Sequence, residues 1–260
     1  MSTATPTATE LPYDLPSKNL NDAITQKSLL NLLTTKCTTS LQHLKQTHAL
    51  ILKTNHFQDH YISGSLIKSY AYSYFDTFDS SLQVFHQIPN PNVFVWNSVI
   101  KACFDNNKPC LAQLFYLKMV VSDSKPNKFT YPTLFKACMI VKSIEEGGQI
   151  HSHVVKNGFM EDAYVKSAGI QMYSSFGRLT EARMILDYSE SDIICYNAMI
   201  DGYLKCGETE SAMVLFKSTT KKNIGSWNAM VSGLAKCGMV EAARKCSMKC
   251  PKEMRFHGVP

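Results

Sequence analysis

Trp96-Asn97-Ser98-Val99-Ile100-Lys101-Ala102-Cys103 opens a pattern that returns three times further along the chain. Tyr131-Pro132-Thr133-Leu134-Phe135-Lys136-Ala137-Cys138 ends on the same Lys-Ala-Cys. Tyr196-Asn197-Ala198-Met199-Ile200 and Trp227-Asn228-Ala229-Met230-Val231 keep the aromatic-polar start. The aromatic residues are 35 positions apart at the first recurrence (96 to 131) and 31 at the last (196 to 227). A recurrence of roughly 20 to 50 residues marks an array of stacked units. Within a unit, Trp96, Val99, Ile100, Cys103 and Phe104 fall on one face of a helix, and Leu111, Leu114, Phe115 and Met119 on one face of a second. Asn106-Asn107-Lys108-Pro109 separates the two, because proline halts one helix and suits the first turn of the next. Each unit therefore reads as a helical hairpin. Neither helix hides its stripe alone, so the fold class is all-α, an α-solenoid of stacked hairpins.

With 45% hydrophobic and 18% charged residues in 260, the chain has the composition of a folded soluble protein. Apolar runs such as Ala49 to Leu52 and Met139 to Val141 are too short to span a bilayer, so no membrane partner is expected. A net charge of +6 favours a polyanion only weakly. Of the nine cysteines, Cys103, Cys138, Cys206 and Cys237 sit at recurring places in the units. Cys246 and Cys250 form a C-x-x-x-C with no second half, and no C-x-x-C occurs. Reduced thiols, no metal and no cofactor are expected. His151 and His153 form an H-x-H whose members point in different directions on a helix, which argues against a metal pair.

Residues 1–24 read as a disordered or targeting segment. The first 19 are rich in Ser, Thr, Ala and Pro without arginine, and Glu10 and Asp14 depart from the acid-poor composition of transit peptides. An array of about seven repeats follows over 25–254, with boundaries at 25–59, 60–92, 93–127, 128–162, 163–192, 193–223 and 224–254, and a tail at 255–260. The first unit is a worn copy, aligned through Thr47-His48-Ala49-Leu50-Ile51-Leu52-Lys53 with Ile150-His151-Ser152-His153-Val154-Val155-Lys156. Gly177, Gly207 and Gly238 mark interhelical turns that need a left-handed residue. No capping unit follows the last hairpin, which predicts an exposed apolar face there.

Val-x-Trp-Asn-x-x-Ile, the Lys-Pro-Asn and Lys-Asn unit ends, the Lys-Ala-Cys helix and the run from Gly148 to Phe159 together resemble the plant pentatricopeptide-repeat (PPR) family. The closest subgroup is the one with alternating long, short and standard motifs, here without the extension and deaminase domains. The resemblance covers about Thr25 to Met254. It implies a right-handed superhelix that reads one RNA base per repeat with two or three side chains. Carried over, Asn97 with Asn127 and Asn197 with Asn223 look like pyrimidine readers, and Ser167 with Asp192 like a guanine reader. Pro132 with Asp162 discriminates weakly, since proline donates no hydrogen bond. Gly64 with Asn92 departs from the pattern, and Asn228 lacks a dependable partner. Phe94, Phe129 and Ile194 would pack between successive bases, and Gly225 lacks that side chain. Two readings stay open for the Asn near each helix start, a cap or a base contact. The same holds for Lys101, Lys136 and Lys205, between a solvated face and phosphate contacts. Trp96 and Trp227 are expected in the core.

None of the eight histidines begins the H-x-E that a zinc deaminase needs, and no phosphate-cradling glycine loop occurs. The resemblance implies a sequence-selective, non-catalytic binder of single-stranded organellar RNA, monomeric, in chloroplast or mitochondrion. It would be a specificity factor in RNA processing or C-to-U editing, with a deaminase-bearing or editing-complex protein acting in trans. The alternatives are a tetratricopeptide-type scaffold for protein partners, disfavoured by the irregular spacing, and a truncated product without function.

Overall fold

The computed structural model describes residues 25–35 and 40–251, so the segment 1–24 and the tail 255–260 lie outside the described residues. Among the described residues the chain is all-helical, and it divides into two compact units, one up to Asn90 and one from Pro91.

The first unit holds α1 (Gln26–Thr35), α2 (Leu41–Lys53), a short 3-10 turn (His56–Gln58), α3 (His60–Ala71) and α4 (Phe78–His86). Ser40 caps α2 through the His43 amide, and Asp59 caps α3 through the amides of Tyr61 and Ile62. Leu29, Leu33, Leu44, Ile51, Ile62, Leu66 and Ile67 are almost fully buried and form its core.

The second unit is a run of five hairpins. They are α5 (Val93–Asp105) with α6 (Pro109–Val121), α7 (Tyr131–Val141) with α8 (Ile144–Lys156), and α9 (Ala163–Ser175) with α10 (Leu179–Asp187). Then come α11 (Ile193–Lys205) with α12 (Thr209–Ser218), and α13 (Ile224–Lys236) with α14 (Val240–Lys249). One local device ends the first helix of every pair. A left-handed residue, Asn107, Lys142, Gly177, Gly207 or Gly238, turns the chain. The next amide then bonds back five residues: Lys108 to Cys103, Ser143 to Cys138, Arg178 to Tyr173, Glu208 to Tyr203 and Met239 to Leu234, each at 2.9 to 3.1 Å. This closes the orphan carbonyls of the helix end. Glycine does this without strain in the last three hairpins, while Asn107 and Lys142 do it as L-residues.

The first helices pack on one another in sequence, α5 on α7, α7 on α9, α9 on α11 and α11 on α13, and each second helix lies against its own partner. Val99, Ile100, Cys103, Phe135, Cys138, Ile170, Met199, Ile200, Met230 and Leu234 fill the space between. Trp96 is buried, and Trp227 is half-buried with its ring 4.9 Å from that of Phe216. The stripe expected on α6 is shifted. Ala112, Phe115, Tyr116 and Met119 are buried, while Leu114 is 45% exposed. The helix is apolar nearly all round, and its contacts with both α5 and α7 select the buried face. On α14 only Ala243 is buried, and Val240 and Met248 are exposed.

Close approach of the first helices depends on glycine. A Cβ on Gly202 would lie 2.8 Å from Ser174 Cβ, and one on Gly233 would lie 2.9 Å from Leu204 Cβ. Gly148, inside α8, has no neighbour within 4 Å of that position. Gly202→Ala is therefore expected to lower stability by about 1 to 3 kcal/mol through overpacking, and Gly148→Ala to raise it by about 0.5 to 1 kcal/mol through helix propensity. Thermal or urea unfolding of the two variants beside the parent checks the opposite signs.

A histidine–tyrosine contact occurs once in each compact unit at the same spacing of 22 residues. His48 Nδ1 lies 3.1 Å from the Tyr70 hydroxyl, and His151 Nδ1 lies 3.0 Å from that of Tyr173. Burial holds both imidazoles below their usual pKa of 6.5. The folded state therefore resists a proton that the unfolded chain accepts. Stability is complete above about pH 6.5 and falls as pH drops below it, because there the unfolded state binds more protons. Melting temperatures between about pH 7.5 and 5, a window above the carboxylate range, should fall on the acid side. His151→Gln, which cannot titrate, should flatten that fall.

Candidate nucleic-acid interface

In the second unit, Asn97, Ser167, Asn197 and Asn228 share one register, the fifth residue of α5, α9, α11 and α13. Since consecutive first helices are in contact, residues at one register form a row along this layer. Pro132 stands elsewhere. In its unit the first helix begins at Tyr131, so Pro132 is the second residue of α7, where a missing N–H costs little.

The row is tied to the unit ends. Asn97 Nδ2 donates to Asn127 Oδ1 at 3.0 Å, and Asn197 Nδ2 donates to Asn223 Oδ1 at 3.2 Å. These bonds span 30 and 26 residues. Ser167 differs: it is 6% exposed, its hydroxyl donates to its own-helix carbonyl at Tyr164, and it has no hydrogen bond to Asp192. Asn228 is exposed.

The capping question resolves onto other residues than the fifth ones. Asn92, Asp162, Asp192 and Asn223 are the N-caps of α5, α9, α11 and α13, each with its side-chain oxygen on an amide of the first turn. Four unit-end residues thus close the next helix, and one of them, Asn223, also holds the asparagine of its own unit. Asn127 likewise accepts from the Phe129 amide.

At the second residue of the first helices stand Phe94, Tyr164, Ile194 and Gly225, and Phe129 precedes α7. Phe129 and Tyr164 are 70% and 67% exposed, while Phe94 and Ile194 are half-buried. Tyr164 is missed by counting back from an aromatic fourth residue, because Lys166 replaces that aromatic in its unit. Counting from the helix start finds Tyr164, and likewise Tyr61 in the first unit. The Lys166 side chain is buried, with its ammonium donating to Ser189 Oγ (2.8 Å), Ser191 Oγ (3.1 Å) and the Ser189 carbonyl (3.3 Å).

Of the three lysines singled out above, Lys101 pairs with Asp105 at 2.9 Å and Lys205 with Asp201 at 2.6 Å, whereas Lys136 is exposed. Lys128 lies 3.4 Å from Asp162 and 5.6 Å from the Phe129 ring centroid. His153 turns to Tyr116 (2.6 Å) and His151 to Tyr173, so the H-x-H is divided between two neighbours. Among the described residues no group of three His, Cys, Asp or Glu side chains is placed to hold a metal ion.

The PPR repeat family matches residues 91–139, and single PPR repeats match residues 194–224 and 225–246. A chloroplastic/mitochondrial pentatricopeptide repeat-containing protein of Arabidopsis thaliana is 34% identical over 183 residues, covering 68% of this chain and 28% of the relative. A mitochondrial one from the same plant is 35% identical over 193 residues, covering 73% of this chain and 28% of the relative. The chain thus spans under a third of the length of these relatives. Among solved structures, the pentatricopeptide repeat protein PPR10 from maize superposes with a TM-score of 0.46 at 16% identity, over 86% of this chain and 38% of that one.

Proposed function

We propose that this chain, a PPR repeat protein, binds single-stranded RNA and selects its sequence through the row of fifth residues in the second unit. The observation that carries the reading is the pair of asparagine–asparagine bonds, Asn97 to Asn127 and Asn197 to Asn223, formed at one register in two separate hairpins. Each of these bonds uses one Nδ2 hydrogen of Asn97 or Asn197 and leaves the second for an acceptor on a base edge. Exposed Phe129 and Tyr164 beside the row supply faces on which unstacked bases pack.

On this reading the unit at 93–127 takes a pyrimidine, 128–162 discriminates weakly, 163–192 takes a guanine and 193–223 takes a pyrimidine, from 5′ to 3′. The weak assignment agrees in kind with Pro132, which has neither an N–H nor a polar side chain. The guanine assignment rests on the resemblance alone, since Ser167 is buried with its hydroxyl on the Tyr164 carbonyl and has no bond to Asp192. Because relatives carry chloroplastic and mitochondrial names, we place the protein in one of those organelles. There it would serve as a specificity factor for RNA processing or C-to-U editing, with the chemistry supplied in trans by a deaminase-bearing or editing-complex protein.

Binding of short RNAs measured by fluorescence anisotropy tests this. Replacing the guanine opposite 163–192 should weaken binding by about 5- to 150-fold, the span of roughly 1 to 3 kcal/mol for one mismatched base. Affinity for every RNA should also fall linearly with salt on a log–log plot as phosphate counterions are released. Tyr164→Ala should weaken all sequences alike, by about 1 to 3 kcal/mol for one lost stacking partner. Indifference to the guanine rejects the assignment, and indifference to salt rejects RNA as the ligand.

A further inference from the structure

The third residue of each unit from 60 onward is buried: Ile62, Val95, Thr130, Val165, Cys195 and Ser226. Four are apolar side chains or a thiol, and two are hydroxyls, 1% exposed each. A hydroxyl in such a place is unfavourable unless it is fully hydrogen bonded. The two hydroxyls do not fall at random. They occur after Asn97/Asn127 and after Asn197/Asn223, the two places where a fifth-residue asparagine meets an asparagine at the unit end. Where the preceding unit ends in aspartate, at Asp59, Asp162 or Asp192, the third residue is Ile, Val or Cys. Asn92 is followed by Val95, and its unit has Gly64 in fifth place, with no side chain to orient.

The chemistry explains this distribution. A carboxylate presents only acceptors, so a half-turn of Asp changes nothing. A carboxamide turned by half a turn exchanges its donor and acceptor, and a pair of carboxamides has a defined sense only if something fixes it. Thr130 fixes one. Its Oγ1 accepts from the Asn127 backbone N–H at 3.1 Å and donates to Asn97 Oδ1 at 2.7 Å, while Asn97 Nδ2 donates to Asn127 Oδ1 at 3.0 Å. Asn97 is thus gripped at both ends of its amide. Ser226 acts on the partner instead: Oγ accepts from the Asn223 backbone N–H at 3.1 Å and donates to Asn223 Oδ1 at 3.1 Å, and that oxygen receives Asn197 Nδ2. Asn197 Oδ1 is left buried with no partner.

Thr130 is free for this task because of its neighbour. It occupies the N-cap position of α7 but caps nothing, and Pro132 at the second helical position has no N–H to offer it. The proline that makes its own unit a weak reader thereby releases a hydroxyl to the unit before.

We propose that the buried hydroxyl at the third place of the following unit, Thr130 for 93–127 and Ser226 for 193–223, is a positioning residue for base recognition. It sets which edge of the asparagine pair donates and which accepts. This rests on the RNA reading above. It also distinguishes two pairs of identical composition: Asn97 Oδ1 is engaged by Thr130, whereas Asn197 Oδ1 is buried without a partner and its amide is held only through Nδ2.

The test compares Thr130→Val, which keeps shape and loses the hydroxyl, with Thr130→Ser in the full chain. Binding is measured on RNAs carrying each of the four bases opposite 93–127. Thr130→Val should reduce the preference there by about three- to tenfold, the range of one neutral hydrogen bond. It should leave the guanine preference opposite 163–192 intact, and Thr130→Ser should restore the parent behaviour. Unchanged preference in Thr130→Val, or an equal loss at both positions, overturns the proposal. A parent protein with no base preference anywhere rejects the RNA reading instead. An RNA-free measurement then still decides the role of Thr130: hydrogen exchange of the Asn97 carboxamide protons by nitrogen-15 NMR. Slow exchange in the parent and Thr130→Ser with fast exchange in Thr130→Val is expected, and equal rates in all three overturn it.

Discussion

No hairpin of this chain can bury its own apolar stripe, and the rest of the structure follows from that constraint. Each first helix needs the next one, and contact at Gly202 against Ser174 and Gly233 against Leu204 brings α9, α11 and α13 to backbone distance. Backbones that close cannot slide by a residue without collision, so packing sets the register as well as the order. Register is what turns scattered asparagines into a row. The interaction that stabilises the array is therefore the one that spaces its polar side chains.

Much of the fold is legible in the sequence because it rests on local rules. The stripe from Trp96 to Cys103, the proline at the start of α6 and the glycines at 177, 207 and 238 each act within a few residues, and each appears where the pattern places it. Asn107 and Lys142 at the equivalent turns are not visible in this way, because an L-residue gives no sign that its backbone is left-handed. The buried face of α6 escapes for a different reason: where a helix is apolar all round, only the neighbours decide which side is covered, and α7 is such a neighbour.

The candidate site is legible in part. The resemblance pairs Asn97 with Asn127 and Asn197 with Asn223, and each pair shares a side-chain hydrogen bond. The resemblance also pairs Ser167 with Asp192, and these two are not bonded. A serine side chain reaches one bond less far than asparagine, and its hydroxyl finds the Tyr164 carbonyl first. Tyr164 was hidden by Lys166, whose ammonium binds the 189–191 loop where other units place an aromatic ring. A buried lysine at an aromatic place shifts any alignment made on aromatics, although the helix start is unaffected.

The unit-end residues join these observations. A side chain that caps the following helix must hold its oxygen over that helix's amides, so Asn92, Asp162, Asp192 and Asn223 are each committed by folding before any ligand arrives. In Asn223 the capping oxygen is also the one that receives Asn197, which makes the orientation of the candidate reader a by-product of helix termination. Asp satisfies the same cap with no choice of sense, whereas Asn in that place carries an ambiguity that a neighbouring hydroxyl removes. Under the RNA-binding proposal stability and selectivity meet at the same few atoms, because a substitution at Asn223 changes both the start of α13 and the partner of Asn197.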